Sequence, residues 1–327
     1  MSTSIVNIAL EGARLNALLV SVIELNLCDA IANAPLTVRE LAANRNISKR
    51  GCQALADGMV GLRLWRVTDG RYSNTGVAQR LLTRSSLNYL GEEQPYLFRF
   101  WLSRFQDLTE QVRSGKPNHA LDSEDTKDFW LHLTPFLARN AGNVARCAMD
   151  SFKLTDKPLA LLDVGGGAAA LYSRALLETN PDATATQADW PHINVQAFSS
   201  LGKLADRFGT INGDFHDSDF GNERFDVAVL SNIIHLESFD SNVKILTRLA
   251  RSLKPGGRII ISDWIVDDDR SGPPESLLFN LTMFLLSPVG KTYTRYEVAR
   301  MLSLSGFGET QFVKTPGQEL LASSMRI

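Results

Sequence analysis

The sequence predicts an α/β fold, a largely parallel sheet with helices on both faces, preceded by a smaller, mainly helical unit that carries a β-hairpin. Three observations predict it. From about residue 157, apolar runs of strand length alternate with helix-length segments, the pattern of strand–helix–strand units. The first of these runs, Leu161-Leu162-Asp163-Val164, passes directly into Gly165-Gly166-Gly167, a turn whose missing Cβ atoms let a backbone bend sharply and approach a ligand. The first 85 residues instead show helical periodicity, closed by a hairpin pattern around Asp69-Gly70.

Taken in order, Leu15, Leu18, Leu19, Val22 and Ile23 fall on one face of a helix. Thr37, with Glu40 three residues later, reads as a capped helix start. Ser48 opens a second short helix through Leu55 and Met59, and residues 65–73 give the two strands around Asp69-Gly70. Helix, helix and hairpin together form a winged helix-turn-helix, assigned to residues 1–85. Residues 86–152 read as helical, aromatic-rich linking structure broken near Ser114-Gly115-Lys116-Pro117. Residues 153–327 form the α/β unit, with strands expected at 159–164, 184–188, 210–214, 226–231 and 258–263. A helix at 296–305 and two antiparallel edge strands, 310–314 and 320–325, complete it.

Of the 327 residues, 44% are hydrophobic, enough for a core in each of two units. A net charge of -2 supplies no basic excess for a phosphate backbone, so nucleic acid is not an expected partner. The three cysteines are scattered without metal-ligand spacing, and no stretch reaches the length of a membrane span. The expected location is the cytoplasm, with no membrane association.

Four segments carry candidate chemistry. The strand-to-glycine turn at Asp163, Gly165 and Gly167 also satisfies a dinucleotide fingerprint through Ala170. Asp189, at the end of the next strand and followed by Trp190-Pro191, suits the two hydroxyls of a ribose, or merely caps a helix. Gly213-Asp214-Phe215 offers a carboxylate for an adenine amino group and a ring to stack on the base. His235 follows the fourth strand, where ligands meet the carboxyl ends of a parallel sheet. Alone, it reads first as a structural histidine.

With Leu253-Lys254-Pro255-Gly256-Gly257 before the fifth strand, these segments appear in a familiar order. The C-terminal half resembles the Rossmann-like class I methyltransferase fold. The chain as a whole is similar to the dimeric, S-adenosyl-L-methionine-dependent O-methyltransferases that include plant caffeate-type and bacterial antibiotic-tailoring enzymes. In that family the N-terminal winged helix serves dimerisation, so the resemblance implies a homodimer. It implies that Asp163, Gly165, Gly167, Asp189, Trp190, Gly213, Asp214, Phe215 and Ser231 bind the cofactor. It implies His235 as general base with Asp263 orienting it, and Phe136, Asn140, Met283 and Ser287 lining the acceptor pocket. The implied reaction is methyl transfer to a hydroxyl, or to nitrogen or carbon, of an aromatic or polyketide-like small molecule, with S-adenosyl-L-homocysteine as product.

The chain departs from the family pattern in four places. Ala168-Ala169 stands where the glycine turn usually continues Thr-Gly, so a positive φ at 169 would be strained. Ser231 replaces a lysine of plant members, and Leu236 replaces an aspartate after the histidine. Thr292 replaces a second carboxylate beside that histidine; Glu237 is a candidate substitute, although neighbouring residues often point apart. These departures keep open an enzyme on this scaffold that retains the cofactor but hydroxylates, decarboxylates or cyclises. A winged-helix regulator and a nicotinamide oxidoreductase are the remaining alternatives.

Overall fold

The computed structural model describes residues 5–91, 93–118, 127–155, 158–317 and 319–327. The chain divides into two compact units, Met1–Gln106 and Asp107–Ile327.

The first unit runs α1 (Ile5–Glu24), α2 (Leu27–Ala30), β1 (Leu36–Thr37), α3 (Val38–Arg45), α4 (Lys49–Gly61), β2 (Trp65–Thr68), β3 (Arg71–Asn74), α5 (Gly76–Leu82) and α6 (Gln94–Gln106). The expected caps form: Glu40 N–H donates to Thr37 Oγ1 at 3.2 Å, and Thr37 N–H donates back to the Glu40 carboxylate at 2.7 Å. Ser48 Oγ accepts Gly51 N–H at 3.0 Å. The β2–β3 turn has positive φ at both Asp69 and Gly70, the geometry whose twist matches a two-residue hairpin. Strand β1 adds to the hairpin in the order β1-β3-β2, and Trp65, Leu41, Met59 and Leu27 fill the core beneath it.

The second unit contains α7 (Leu108–Ser114), α8 (Lys127–Ser151), β4 (Ala160–Val164), α9 (Leu171–Thr179), β5 (Thr184–Asp189), α10 (Pro191–Leu201), β6 (Phe208–Asn212), β7 (Phe225–Ser231), α11 (Phe239–Ser252), β8 (Leu253–Asp263), α12 (Pro274–Leu286), α13 (Arg295–Leu304), β9 (Gln311–Lys314) and β10 (Leu320–Met325). Its seven strands lie in the order β6-β5-β4-β7-β8-β10-β9. Strands β4 to β8 pair in parallel, whereas β10 runs antiparallel to both β8 and β9. Alternate residues of each central strand enter different cores: Leu161, Val227, Val229 and Ile260 on one face, Leu162, Ala228, Leu230 and Ile261 on the other. Burial on both faces explains why these strands read as continuous apolar runs. Strand order reverses between β4 and β7, and the carboxyl ends of these two strands border the crevice where ligands of such sheets bind.

Two expectations are corrected locally. The third strand ends at Asn212 rather than 214, because Gly213 adopts φ 146° and the Asp214 side chain takes up His216 N–H, turning the chain out of the sheet. The left-handed residue after the glycine turn is Ala170 (φ 46°, ψ 49°) and not Ala169. The substitution at 169 therefore carries no positive-φ strain. The strain sits one residue later, where the Ala170 methyl is fully buried at the start of α9.

Candidate active site

The first two glycines of the turn are tightly packed, and the first also takes a left-handed conformation that side chains rarely adopt. A Cβ on Gly165 would lie 2.5 Å from Ile233 Cδ1, and φ there is +65°. A Cβ on Gly166 would meet Gln187 Oε1 at 2.6 Å and Asp163 Oδ1 at 2.9 Å. Carboxylates hold the loop from beneath. Asp163 Oδ2 accepts both the N–H (3.1 Å) and the hydroxyl (2.8 Å) of Ser173, pinning the first turn of α9. Asp189 accepts Gly167 N–H at 3.0 Å and Trp190 N–H at 2.7 Å, and Gln187 donates to Gly167 C=O at 3.1 Å. Burial raises the Asp163 carboxyl to about 6 against the lowering effect of the Ser173 bonds. Burial likewise pushes Asp189 above the usual carboxylate range, opposed by the Trp190 and Gly167 N–H groups.

Around this turn the structure gathers the other residues expected at a nucleoside site. Phe215 brings its ring within 4.0 Å of the Gly165 Cβ direction. Trp190 is half-exposed beside Asp189 and stacks on His192 at 5.9 Å. Asp214 keeps one carboxylate oxygen out of its bonds with His216. Ser231 ends β7 and accepts from the Asn232 amide at 3.3 Å.

Across the crevice, His235 sits in a 3-10 turn just past β7, and Asp263 ends the neighbouring strand β8. His235 Nδ1 lies 2.7 Å from Asp263 Oδ1, and the His235 N–H reaches Oδ2 at 3.4 Å. Both are buried, His235 at 6% and Asp263 at 1% exposure. Phe279 of α12 meets the imidazole edge-on at 4.9 Å and stacks on Trp264 at 4.5 Å, so the ring is boxed as well as bonded. The backbone of the turn is tied down in turn: Asn242 donates to Ile234 C=O, Lys291 N–H to His235 C=O, and Ser287 Oγ to Leu236 C=O. Gly290 has to be glycine for this approach, since a Cβ would lie 2.7 Å from His235 O. With Nδ1 committed to Asp263, Nε2 accepts no bond from any of the described residues and is the atom left for chemistry.

Known proteins agree with this architecture. The O-methyltransferase domain profile matches residues 105–308, and the O-methyltransferase dimerisation domain profile matches residues 9–84. The chain belongs to the O-methyltransferase family. It is 29% identical to 3-hydroxy-5-methyl-1-naphthoate 3-O-methyltransferase of Streptomyces sahachiroi, over 91% of this chain and 88% of that one. It is 28% identical to the tetracenomycin polyketide synthesis 8-O-methyl transferase TcmO of Streptomyces glaucescens, over 93% and 91% respectively. It shares its fold with human N-acetylserotonin methyltransferase solved in complex with SAM, at TM-score 0.85 and 24% identity, covering 98% of this chain and 96% of that one. Among the described residues, no helix of this methyltransferase is long and apolar enough to cross a membrane.

The remaining expected residues distribute as follows. Met283 is buried on α12, one turn after Phe279. Ser287 ends that helix, and its hydroxyl is engaged with Leu236 C=O and the Val289 and Gly290 N–H groups. Phe136 and Asn140 fall within α8, but their side chains lie outside the described residues. Thr292 directs its hydroxyl to Asn280 Oδ1 at 3.2 Å. Glu237 does not replace the second carboxylate at His235: it bonds His216 and Ser241 instead. Sequence reasoning missed Gln187, Ser173, Phe279 and Trp264. Gln187 was findable, lying two residues before Asp189 on the same face of β5; Ser173 and Phe279 reach the site only through tertiary packing.

Proposed function

We propose that this enzyme methylates a hydroxyl of an aromatic or polyketide-like small molecule, using S-adenosyl-L-methionine and His235 as general base. The observation that carries the reading is the buried His235–Asp263 pair with Nε2 free, across the sheet's switch point from the glycine turn. The turn fits the cofactor: Gly165 and Gly166 leave backbone where any Cβ would collide, with Asp189 beside it for the ribose and Asp214 and Phe215 for the adenine. Bound there, S-adenosylmethionine supplies a methyl group on a positively charged sulfur. The names of the two bacterial relatives, one for a hydroxynaphthoate and one for tetracenomycin polyketide synthesis, support the acceptor class.

The work of the protein follows from its own groups. A phenol is a much weaker acid than an imidazolium, so it does not give up its proton beforehand, and His235 Nε2 takes it as the oxygen attacks. Asp263 fixes the Nδ1–H tautomer, which presents the Nε2 lone pair, and stabilises the imidazolium that forms. Phe279, backed by Trp264, meets the imidazole edge-on and helps hold its orientation. The dimerisation-domain match supports a homodimer assembled through residues 9–84.

Incubation with S-adenosylmethionine and a panel of hydroxynaphthoates and polyketide phenols tests the reading. S-adenosylhomocysteine should accumulate in step with a methyl ether. Acceptor conversion without S-adenosylhomocysteine would instead favour the non-methylating alternative, which the absence of a carboxylate at Thr292 motivates.

A further inference from the structure

One histidine has no part in the chemistry above. His216 follows Phe215 in the loop after β6, and its ring is held from both sides. Nδ1 lies 2.6 Å from Asp214 Oδ1 and Nε2 lies 3.0 Å from Glu237 Oε1. Asp214 Oδ1 also accepts the His216 N–H at 2.8 Å. Glu237 is anchored beyond it: Oε2 accepts the Ser241 hydroxyl at 2.6 Å, and its carbonyl accepts the Tyr293 hydroxyl at 2.6 Å. Glu237 stands two residues past His235, at the end of the same turn.

We propose that His216 is a positioning residue whose doubly protonated ring braces Asp214 against the turn that carries His235, so that cofactor affinity falls when the ring loses its proton. The inference rests on the reading of Asp214 as the adenine acceptor. An imidazolium donates from both nitrogens and satisfies both carboxylates. A neutral ring carries one N–H, so one carboxylate then faces a bare lone pair. The loop loses a charge-assisted bond and gains a repulsion at the residue that must receive the adenine amino group.

The charged groups facing the ring are Asp214 from its own loop, Glu237 from the turn after β7 and Arg248 from α11. Arg248 donates to the carbonyls of Phe215 (2.9 Å), His216 (2.5 Å) and Ser218. Its guanidinium is therefore engaged with backbone and does not substitute for the imidazolium. Burial pulls His216 down, but the Asp214 bond and the Glu237 charge outweigh it and leave the ring above the ordinary histidine range. With a raised value, the brace is complete on the acid side and is lost as pH rises through the ring's own titration.

Calorimetry with S-adenosylhomocysteine on the full chain tests this, comparing wild type, His216→Gln and Glu237→Gln from about pH 6 to about pH 9. Wild-type affinity should fall roughly three- to tenfold across the window, the equivalent of one net hydrogen bond at a half-exposed pair. His216→Gln should bind at the weaker level throughout, with a flatter profile. Glu237→Gln should move the midpoint to lower pH. At saturating cofactor and acceptor, His216→Gln should keep kcat within about twofold while the cofactor KM rises. NMR of the labelled His216 ring in the wild-type protein needs no variant to fold: its titration midpoint should rise when S-adenosylhomocysteine binds. A variant that weakens binding equally at every pH with the wild-type slope, or a midpoint that does not move, would overturn the proposal and leave the cofactor reading intact. No binding of S-adenosylhomocysteine by wild type at any pH would sink both.

Discussion

The two sides of the crevice are built from different materials. The glycine-turn side is made mostly of backbone, held from below by Asp163, Asp189 and Gln187. The His235 side is made of side chains, an imidazole fixed by one carboxylate and met edge-on by Phe279, which itself stacks on Trp264. The contrast teaches where each kind of change will be felt. A backbone cradle fails when a Cβ is added and is indifferent to the acceptor's identity. A side-chain site fails when an atom is removed, and its neighbours select the acceptor.

The largest expected effect breaks the second side and spares the first. His235→Ala should lower turnover by roughly 10²–10⁴, with S-adenosylhomocysteine affinity within about twofold of wild type; single-turnover rates and calorimetry separate the two. Unchanged turnover at saturating substrate would remove His235 from the mechanism. The mirror experiment is Gly165→Ala, where a Cβ would strike Ile233 at positive φ. Cofactor affinity should fall about ten- to a hundredfold, the equivalent of the roughly 1–3 kcal/mol that strained positions cost. Equal affinity would mean that the cradle is not where the cofactor lies.

A smaller effect sharpens the account of what supports the cradle. Asp163 Oδ1 and Gln187 Oε1 are both buried acceptors that find no donor among the described residues, and both crowd the same point beside Gly166. The Asp163 carboxyl is raised to about 6 in the folded chain. Its contribution to stability is therefore complete in acid and is lost as pH rises through about 6. Asp163→Asn keeps an acceptor for Ser173 and turns an amide toward Gln187. Thermal melts should show the variant gaining on wild type as pH rises from about 4 to about 7; parallel profiles would contradict the burial argument. The smallest effect is expected at Ala170→Gly. Relief of left-handed strain, about 1–2 kcal/mol, is opposed by the loss of a buried methyl, about 0.8 kcal/mol, and by glycine's entropy, so the unfolding free energy from denaturant melts should change by under about 1 kcal/mol.

The same contrast explains what could be read from the sequence. The cradle was legible because its chemistry is local: a strand running into Gly165, an acid at the end of the next strand, and an alternation that burying both faces imposes. The antiparallel pairing of β9 with β10 is legible from Pro316-Gly317 between them, whereas the order of the strands in the sheet comes from the structure. Which of Ala169 and Ala170 takes the left-handed conformation is not legible in the sequence, since the two are identical in chemistry and only the start of α9 decides between them. The acceptor side was half legible. The pairing of His235 with Asp263 is implied by the family resemblance, but Phe279 arrives from α12, and Glu237 is drawn to His216, a partner that spacing alone does not reveal.

A crystal structure with S-adenosylhomocysteine bound tests the central claim most directly. The account predicts the ribose on Asp189, the adenine beside Phe215 and Asp214, and the sulfur facing a cavity bordered by His235 Nε2. A ligand seated away from the glycine turn, or an imidazole turned so that Nε2 faces the core, would contradict it.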